Sequence, residues 1–132
     1  MAEHNTVGQQ GEHFAQEYLR RKGYTIVETN WRCSHLEVDI IARTRREIVF
    51  VEVKTRRTGS ILSPEEAVDM RRKERMTRAA NIYIHLKHIN LSPRFDIIAV
   101  LLPPDIPAEQ AKTSDVTITH FEDAFPPVAK YY

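Results

Sequence analysis

Apolar positions change their period several times along the chain, and each change predicts an element. Gly11, Phe14, Ala15, Tyr18 and Leu19 recur at three- and four-residue spacing, the repeat of a helix with one buried stripe. Gly23, after the basic Arg20, Arg21 and Lys22, ends that helix. Ile26 and Val27 open a strand that runs to about Cys33. Over residues 36–42 alternation takes over, with Leu36, Val38, Ile40 and Ala42 on one face and Glu37, Asp39 and Ile41 on the other. Residues 47–54, EIVFVEVK, are apolar on both sides through Val51, as in the central strand of a covered sheet. Ser63 at the cap, Pro64 in the first turn and Glu66 in the capping-box place start a second helix. It is predicted to run to about His88, with Met76, Ala79, Ala80, Tyr83 and Ile84 facing the core. A strand over 95–102, stopped by Pro103 and Pro104, and a short one around 116–120 complete an α/β domain with helices covering a sheet. Residues 1–125 read as a single domain and 126–132 as a loose C-terminal tail.

The strands at 36–42 and 47–54 are close enough in sequence to form an antiparallel hairpin. A turn centred on Arg45 and Arg46 places Asp39 opposite Glu52 and Glu37 opposite Lys54, although neither arginine is a favoured two-residue turn former. Opposed carboxylates repel, and a carboxylate within an apolar strand loses hydration. A divalent cation relieves both penalties, and one Asp with one Glu plus water is a ligand set suited to Mg²⁺. Lys54 would then support phosphate charge or the attacking water. An ordinary cross-strand salt-bridge cluster, with Lys54 neutralising Glu37 and Glu52, accounts for the same spacing equally well. Glu12 lies on the flank of the first helix's apolar stripe. From there it could reach the sheet as an acid outside the inner ligand set, or serve only as a first-turn acid favoured by the helix dipole.

Composition narrows the class. The chain has 132 residues, 42% of them hydrophobic, which is enough for a core. No apolar run approaches the roughly 18–20 residues of a membrane span, so no membrane association is expected. The opening MAEHNTVGQQGEHF lacks a basic region followed by an apolar stretch, so no secretory signal is expected. A single cysteine, Cys33, fits a reducing, cytoplasmic setting. The net charge of +1 conceals an asymmetry: residues 43–78 carry 11 Lys and Arg against 6 Asp and Glu, and both flanking segments are slightly acidic. A basic middle third predicts either a surface facing a polyanion or merely a solvated face.

At Asp39 and Glu52-Val53-Lys54 the chain resembles the PD-(D/E)xK nuclease superfamily, whose fold is that of the restriction endonucleases. Gly11-Glu12, Ala15, Tyr18-Leu19, Gly23-Tyr24, Asn30-Trp31-Arg32, Glu37-Val38-Asp39 and FVEVKTR look, more closely, like the YraN-type family of small bacterial proteins. Pro64, Ala67-Val68, Lys73, Ala79-Ala80 and Arg94-Phe95-Asp96 continue the likeness, which covers roughly residues 7–100. It implies a restriction-endonuclease-like, three-layer α/β/α sandwich with an αβββαβ core around a mixed sheet. It also implies an Mg²⁺- or Mn²⁺-dependent endonuclease that hydrolyses phosphodiester bonds in DNA, with branched or otherwise structured DNA as a target. Similarity to archaeal Holliday-junction resolvases, which have an early helix Glu, an Asp, a Glu and a Lys in their site, carries over to Glu12, Asp39, Glu52 and Lys54. By the same likeness the metal ligands are Asp39, Glu52 and the main-chain carbonyl of Val53. Resolvases work as dimers, which brings a homodimer into view. Val38 stands where the superfamily has Pro, and Leu36 where a Gly would precede the Glu-x-Asp motif; neither change removes a ligand. The alternative is a non-catalytic nucleic-acid-binding module that keeps the fold.

Further basic residues are candidate nucleic-acid contacts: Arg45 and Arg46 on the hairpin turn, Arg56 and Arg57 after the EVK strand, and Lys73 on the stripe with Met76 and Ala80. Each has an ordinary reading as a soluble turn or a snorkelling side chain. Trp31 reads as a packing residue. The six histidines show no zinc-like spacing and read as surface residues.

Overall fold

The computed structural model describes residues 3–59 and 61–128, with side chains from residue 6 onward. Helix α1 (Glu3–Arg21) leads into strands β1 (Thr25–Cys33), β2 (Leu36–Arg43) and β3 (Glu47–Arg56). After a short helix α2 (Pro64–Ala67) and the long helix α3 (Met70–Lys87) come β4 (Ser92–Leu101) and β5 (Thr117–Phe121). The expected αβββαβ order is therefore present, with α2 and β5 added. The strands lie in the order β1-β2-β3-β4-β5, antiparallel except for β3 and β4, which run parallel and are joined by the α3 crossover. Gly23, with φ of 92°, makes the turn that α1 needs before β1.

Two apolar cores lie on the two faces of this mixed sheet, making an α/β sandwich. Phe14, Ala15 and Leu19 of α1 pack against Val49, Val51, Ile98 and Val100 on one face. On the other, Met76, Ala79, Ala80 and Tyr83 of α3 pack against Ile48, Phe50, Phe95 and Ile97. β3 contributes to both, as its two-sided apolar pattern predicts. Trp31 packs edge-on against Tyr83, with ring centroids 5.2 Å apart. Gly11 is where α1 comes closest to β3: a Cβ there would fall within 1.8 Å of Thr55 Oγ1, so only glycine permits the approach.

Two sequence expectations are corrected. The helix predicted from Ser63 to about His88 is two helices, because Val68 is extended and Asp69 starts α3 as a new cap, accepting the Arg72 N–H at 2.8 Å. Ser63 makes no side-chain cap; Glu66 instead accepts the Leu62 N–H at 2.8 Å. The alternation predicted for β2 also slips. Leu36 and Val38 join the α3-side core, whereas Ile40 and Ala42 join the α1-side core. The slip lies between Val38 and Ile40, across from Asn30, whose φ of 50° interrupts the pleat of β1. At the C-terminal end Phe125 is buried and the Val128 N–H bonds to Thr77 Oγ1 at 3.0 Å. Residues 129–132 of the expected tail lie outside the described residues.

A polar network is built into the α1 side of the sheet around Asp96 of β4, which has no exposed surface. Arg94 grips it with two bonds, Nε to Oδ1 at 2.8 Å and Nη2 to Oδ2 at 2.7 Å. His120 Nε2 lies 2.7 Å from Oδ2, and the Asp123 N–H donates to Oδ1 at 3.0 Å. Arg94 also reaches Glu47 at 2.8 Å and the Tyr24 hydroxyl at 2.6 Å, and the Tyr18 hydroxyl meets His120 Nδ1 at 3.1 Å. His120 is thus a buried member of this network, with a side chain 5% exposed, and not a surface histidine.

Candidate active site

The predicted hairpin register is present: Arg43 pairs with Ile48, Ala42 with Val49, Ile41 with Phe50 and Ile40 with Val51. Thr44 makes the turn work without glycine, since its Oγ1 accepts the Arg46 and Glu47 N–H groups at 3.3 and 3.1 Å. The ladder stops after Val51, one residue short of Asp39 and Glu52. Beyond that point β3 pairs with β4 alone. The Val53 N–H, which would otherwise face empty space, donates to Asp39 Oδ2 at 2.8 Å. The carbonyl of an extended residue points the same way as its N–H, so the Val53 carbonyl faces this gap as well. The site is a break between strands, and Asp39 is the side chain that fills it.

Glu52 continues the α3-side face of Phe50 and is buried. Both its oxygens are held by Arg72 of α3, Nε to Oε2 at 3.1 Å and Nη2 to Oε1 at 3.0 Å. Arg72 Nη2 also donates to the Glu37 carbonyl at 2.9 Å, so one guanidinium ties β3 to β2 across the gap. Lys54 Nζ lies 3.6 Å from Glu52 Oε2, in the place the alternation predicts. The Glu37 carboxylate pairs instead with exposed Arg32, at 3.5 Å. Glu12 enters from α1, and its Oε1 is buried with no hydrogen-bond partner.

Electrostatics mark the gap as unsatisfied. Burial, then the charge of Glu52 and a hydrogen bond shared with it, push the Asp39 carboxyl up to about 8; the Val53 N–H only partly opposes this. Burial also raises Glu12, helped by Glu37 and Glu52, while a bond from Asn30 pulls the other way. For Arg72, burial disfavours the charge, but Glu52, Asp39 and Glu37 together hold it above the ordinary arginine value. Three acids from three elements therefore crowd two cations. Among the described residues no three His, Cys, Asp or Glu side chains converge tightly enough to hold a metal by themselves. A cation here would draw on two carboxylates, Asp39 and Glu52, and on the Val53 carbonyl.

The structure brings together Glu12, Asp39, Glu52 and Lys54, and separates most of the candidate basic contacts from them. Arg45 and Arg46 are exposed on the hairpin turn. They lie six or more residues along the strand from Glu52, about 20 Å at the usual rise. Lys73 turns away, with Nζ 5.6 Å from the centre of the Phe125 ring. Arg57 straps the loop after β4, bonding the carbonyls of Pro103 at 3.2 Å and Ile106 at 2.8 Å. Arg56 is exposed and, with Lys54, lines a shallow groove over Ala99, Leu101, Thr117 and Thr119. Arg72 and Asn30 are the site residues the sequence reading passed over. Arg72 lies four residues before Met76, so the buried stripe of α3 already pointed to it.

A family model described as "Uncharacterised protein family UPF0102" matches residues 11–100. The chain is 44% identical over 130 residues to a UPF0102 protein of Porphyromonas gingivalis, covering 98% of this chain and 91% of the relative. It is 42% identical over 127 residues to one of Bacteroides thetaiotaomicron, covering 96% and 98%. It is 41% identical over 125 residues to one of Flavobacterium psychrophilum, covering 95% and 98%.

Proposed function

The chain belongs to the uncharacterised protein family UPF0102, the YraN-type family, and we propose that it is a cytoplasmic, Mg²⁺- or Mn²⁺-dependent endonuclease acting on DNA, branched or otherwise structured. The observation that carries this reading is the break in the β2–β3 ladder, where Asp39 and Glu52 are pressed together beneath the unpartnered Glu12 Oε1. An apolar strand has no structural need for that crowding.

The donor set fits a hard divalent cation: carboxylate oxygens of Asp39 and Glu52, the Val53 carbonyl, and no sulfur or imidazole. When bound, such a cation supplies charge neutralisation at the phosphate and a more acidic water. Asp39 would have to release its proton to solvent to serve as a ligand of such a cation. Lys54, exposed over two-fifths of its side chain at 39%, reaches from Glu52 toward solvent and stabilises negative charge developing on the phosphate. Glu12, at the inner wall, accepts a hydrogen bond from water ordered in the gap. Arg56 beside Lys54 extends the positive rim along the groove toward β5 and guides the nucleic-acid backbone.

In a cleavage assay with Mn²⁺ on a branched DNA duplex, Asp39→Ala, Glu52→Ala and Lys54→Ala should each lower turnover at least about a hundredfold while unfolding cooperatively. Turnover retained in all three removes the site. A second reading, a binding module that cuts nothing, is favoured by one observation: Arg72 already neutralises Glu52 without a metal. In that case binding to DNA is steeply salt-dependent and indifferent to Mn²⁺.

A further inference from the structure

The gap contains one residue that neither the metal reading nor the salt-bridge reading requires. Arg72 spends three hydrogen bonds there, two on Glu52 and one on the Glu37 carbonyl. Its side chain is 22% exposed, so it lies at the margin of the gap and is not sealed beneath it. Its backbone is fixed on the first turn of α3, with the N–H bonded to Asp69 Oδ1 at 2.8 Å, so the side chain can move while the helix stays. A planar fork that matches a carboxylate also matches a phosphate.

We propose that Arg72 is a built-in counter-ion that occupies the cation seat on Glu52 and exchanges it for a substrate phosphate when a divalent cation enters. This rests on the endonuclease reading above and adds an order of events to it. Charge balance supports the exchange. With a divalent cation bound and the acids ionised, Glu12, Asp39 and Glu52 set against Lys54, Arg72 and the cation leave one positive charge, which one phosphodiester cancels. Glu52 already carries the Arg72 fork on both oxygens and Lys54 at 3.6 Å, so a metal drawing on it would be a third cation on one carboxylate and would compete with Arg72 for its oxygens. A guanidinium released at the rim, next to Lys54, is placed to take the incoming phosphate. Arginine suits this role better than lysine, because a single ammonium cannot hold both Glu52 oxygens and the Glu37 carbonyl together.

The test is calorimetric titration of Mn²⁺ into the full chain and into Arg72→Gln and Arg72→Lys, with thermal unfolding of each. Alongside it runs anisotropy of a labelled four-way branched DNA, with and without Mn²⁺. Arg72→Gln should bind Mn²⁺ about tenfold more tightly than the parent, with Arg72→Lys in between. The parent should bind DNA more tightly once Mn²⁺ is present. That gain should be lost in Arg72→Gln, together with roughly one unit of salt slope. Equal or weaker Mn²⁺ binding by both folded variants, with the parent binding normally, would make Arg72 a positioning residue for Glu52 and overturn the exchange alone. Absence of Mn²⁺ binding in the parent and both variants would overturn the metal-site reading and the exchange with it.

Discussion

Two aspartates stand on the strands flanking β3, Asp96 fully buried and Asp39 half-buried, and their carboxyls are shifted in opposite directions. Asp96 of β4 is level with Val51, and Asp39 of β2 stands one step further along, where the ladder has ended. Burial disfavours the charge at both. At Asp96 it is outweighed by His120, the Arg94 fork and the Asp123 N–H, which hold the carboxyl below its ordinary value. At Asp39 one N–H stands against burial and the Glu52 and Glu12 charges, and the carboxyl rises to about 8. Asp96 has less exposed surface than Asp39 and yet is the one held low, so it is the partners and not depth that separate a satisfied carboxylate from an unsatisfied one.

The sharpest way to break the comparison is to remove the satisfied member. Asp96→Ala leaves Arg94 and His120 buried without their acceptor and should cost about 3–5 kcal/mol in chemical denaturation. A loss below 1 kcal/mol would mean that water replaces the carboxylate. Next in size, Gly11→Ala forces α1 off Thr55 and should cost about 1–3 kcal/mol. As Glu12 is carried away from the gap, the Asp39 carboxyl should titrate lower by NMR; an unmoved titration would show that Glu12 contributes nothing there. The smallest effect has the opposite sign. Asp39→Asn should stabilise the metal-free chain by on the order of 1–2 kcal/mol at pH 8 and by nothing at pH 4. In the folded chain Asp39 holds its proton up to about 8, whereas unfolded it loses it from about 3.8 upward, so its presence costs stability as pH climbs through that window. Asp96, with its value lowered, contributes stability above the ordinary value and loses it as pH falls through the folded one. Melting curves across pH should therefore diverge for the two variants, and parallel curves would erase the distinction.

Much of this site can be read along the chain because it is local. Asp39 and Glu52 belong to one hairpin whose register follows from the Thr44 turn, and Lys54 follows Glu52 on the same face. Glu12 could be placed because the stripe of α1 fixes its side of the helix. Arg72 and the Asp96 network are different in kind. Arg72 meets Glu52 only after α3 has crossed back over the sheet, and Tyr18 of α1, Tyr24 in the turn after it, Arg94 of β4 and His120 of β5 converge from distant parts of the chain. The slip in β2 was hidden for a related reason: periodicity assumes an even pleat, and Asn30 breaks the pleat on the neighbouring strand. The Ser63 and Pro64 start yields only the single turn of α2, and Asp69, with a side-chain cap on the Arg72 N–H, gives α3 its own beginning.

The parting of β2 from β3 gives the sheet a third edge, in its interior. Backbone left unpaired beside an apolar strand is a template onto which a strand of another molecule can zip, and sheets blunt such edges with inward-pointing charge. Glu52, Lys54 and the Arg72 guanidinium stand in that opening, and Asp39 already caps the Val53 N–H. A foreign strand would have to bury all of them. The charge gathered in this opening thus guards the protein against aggregation through its own centre.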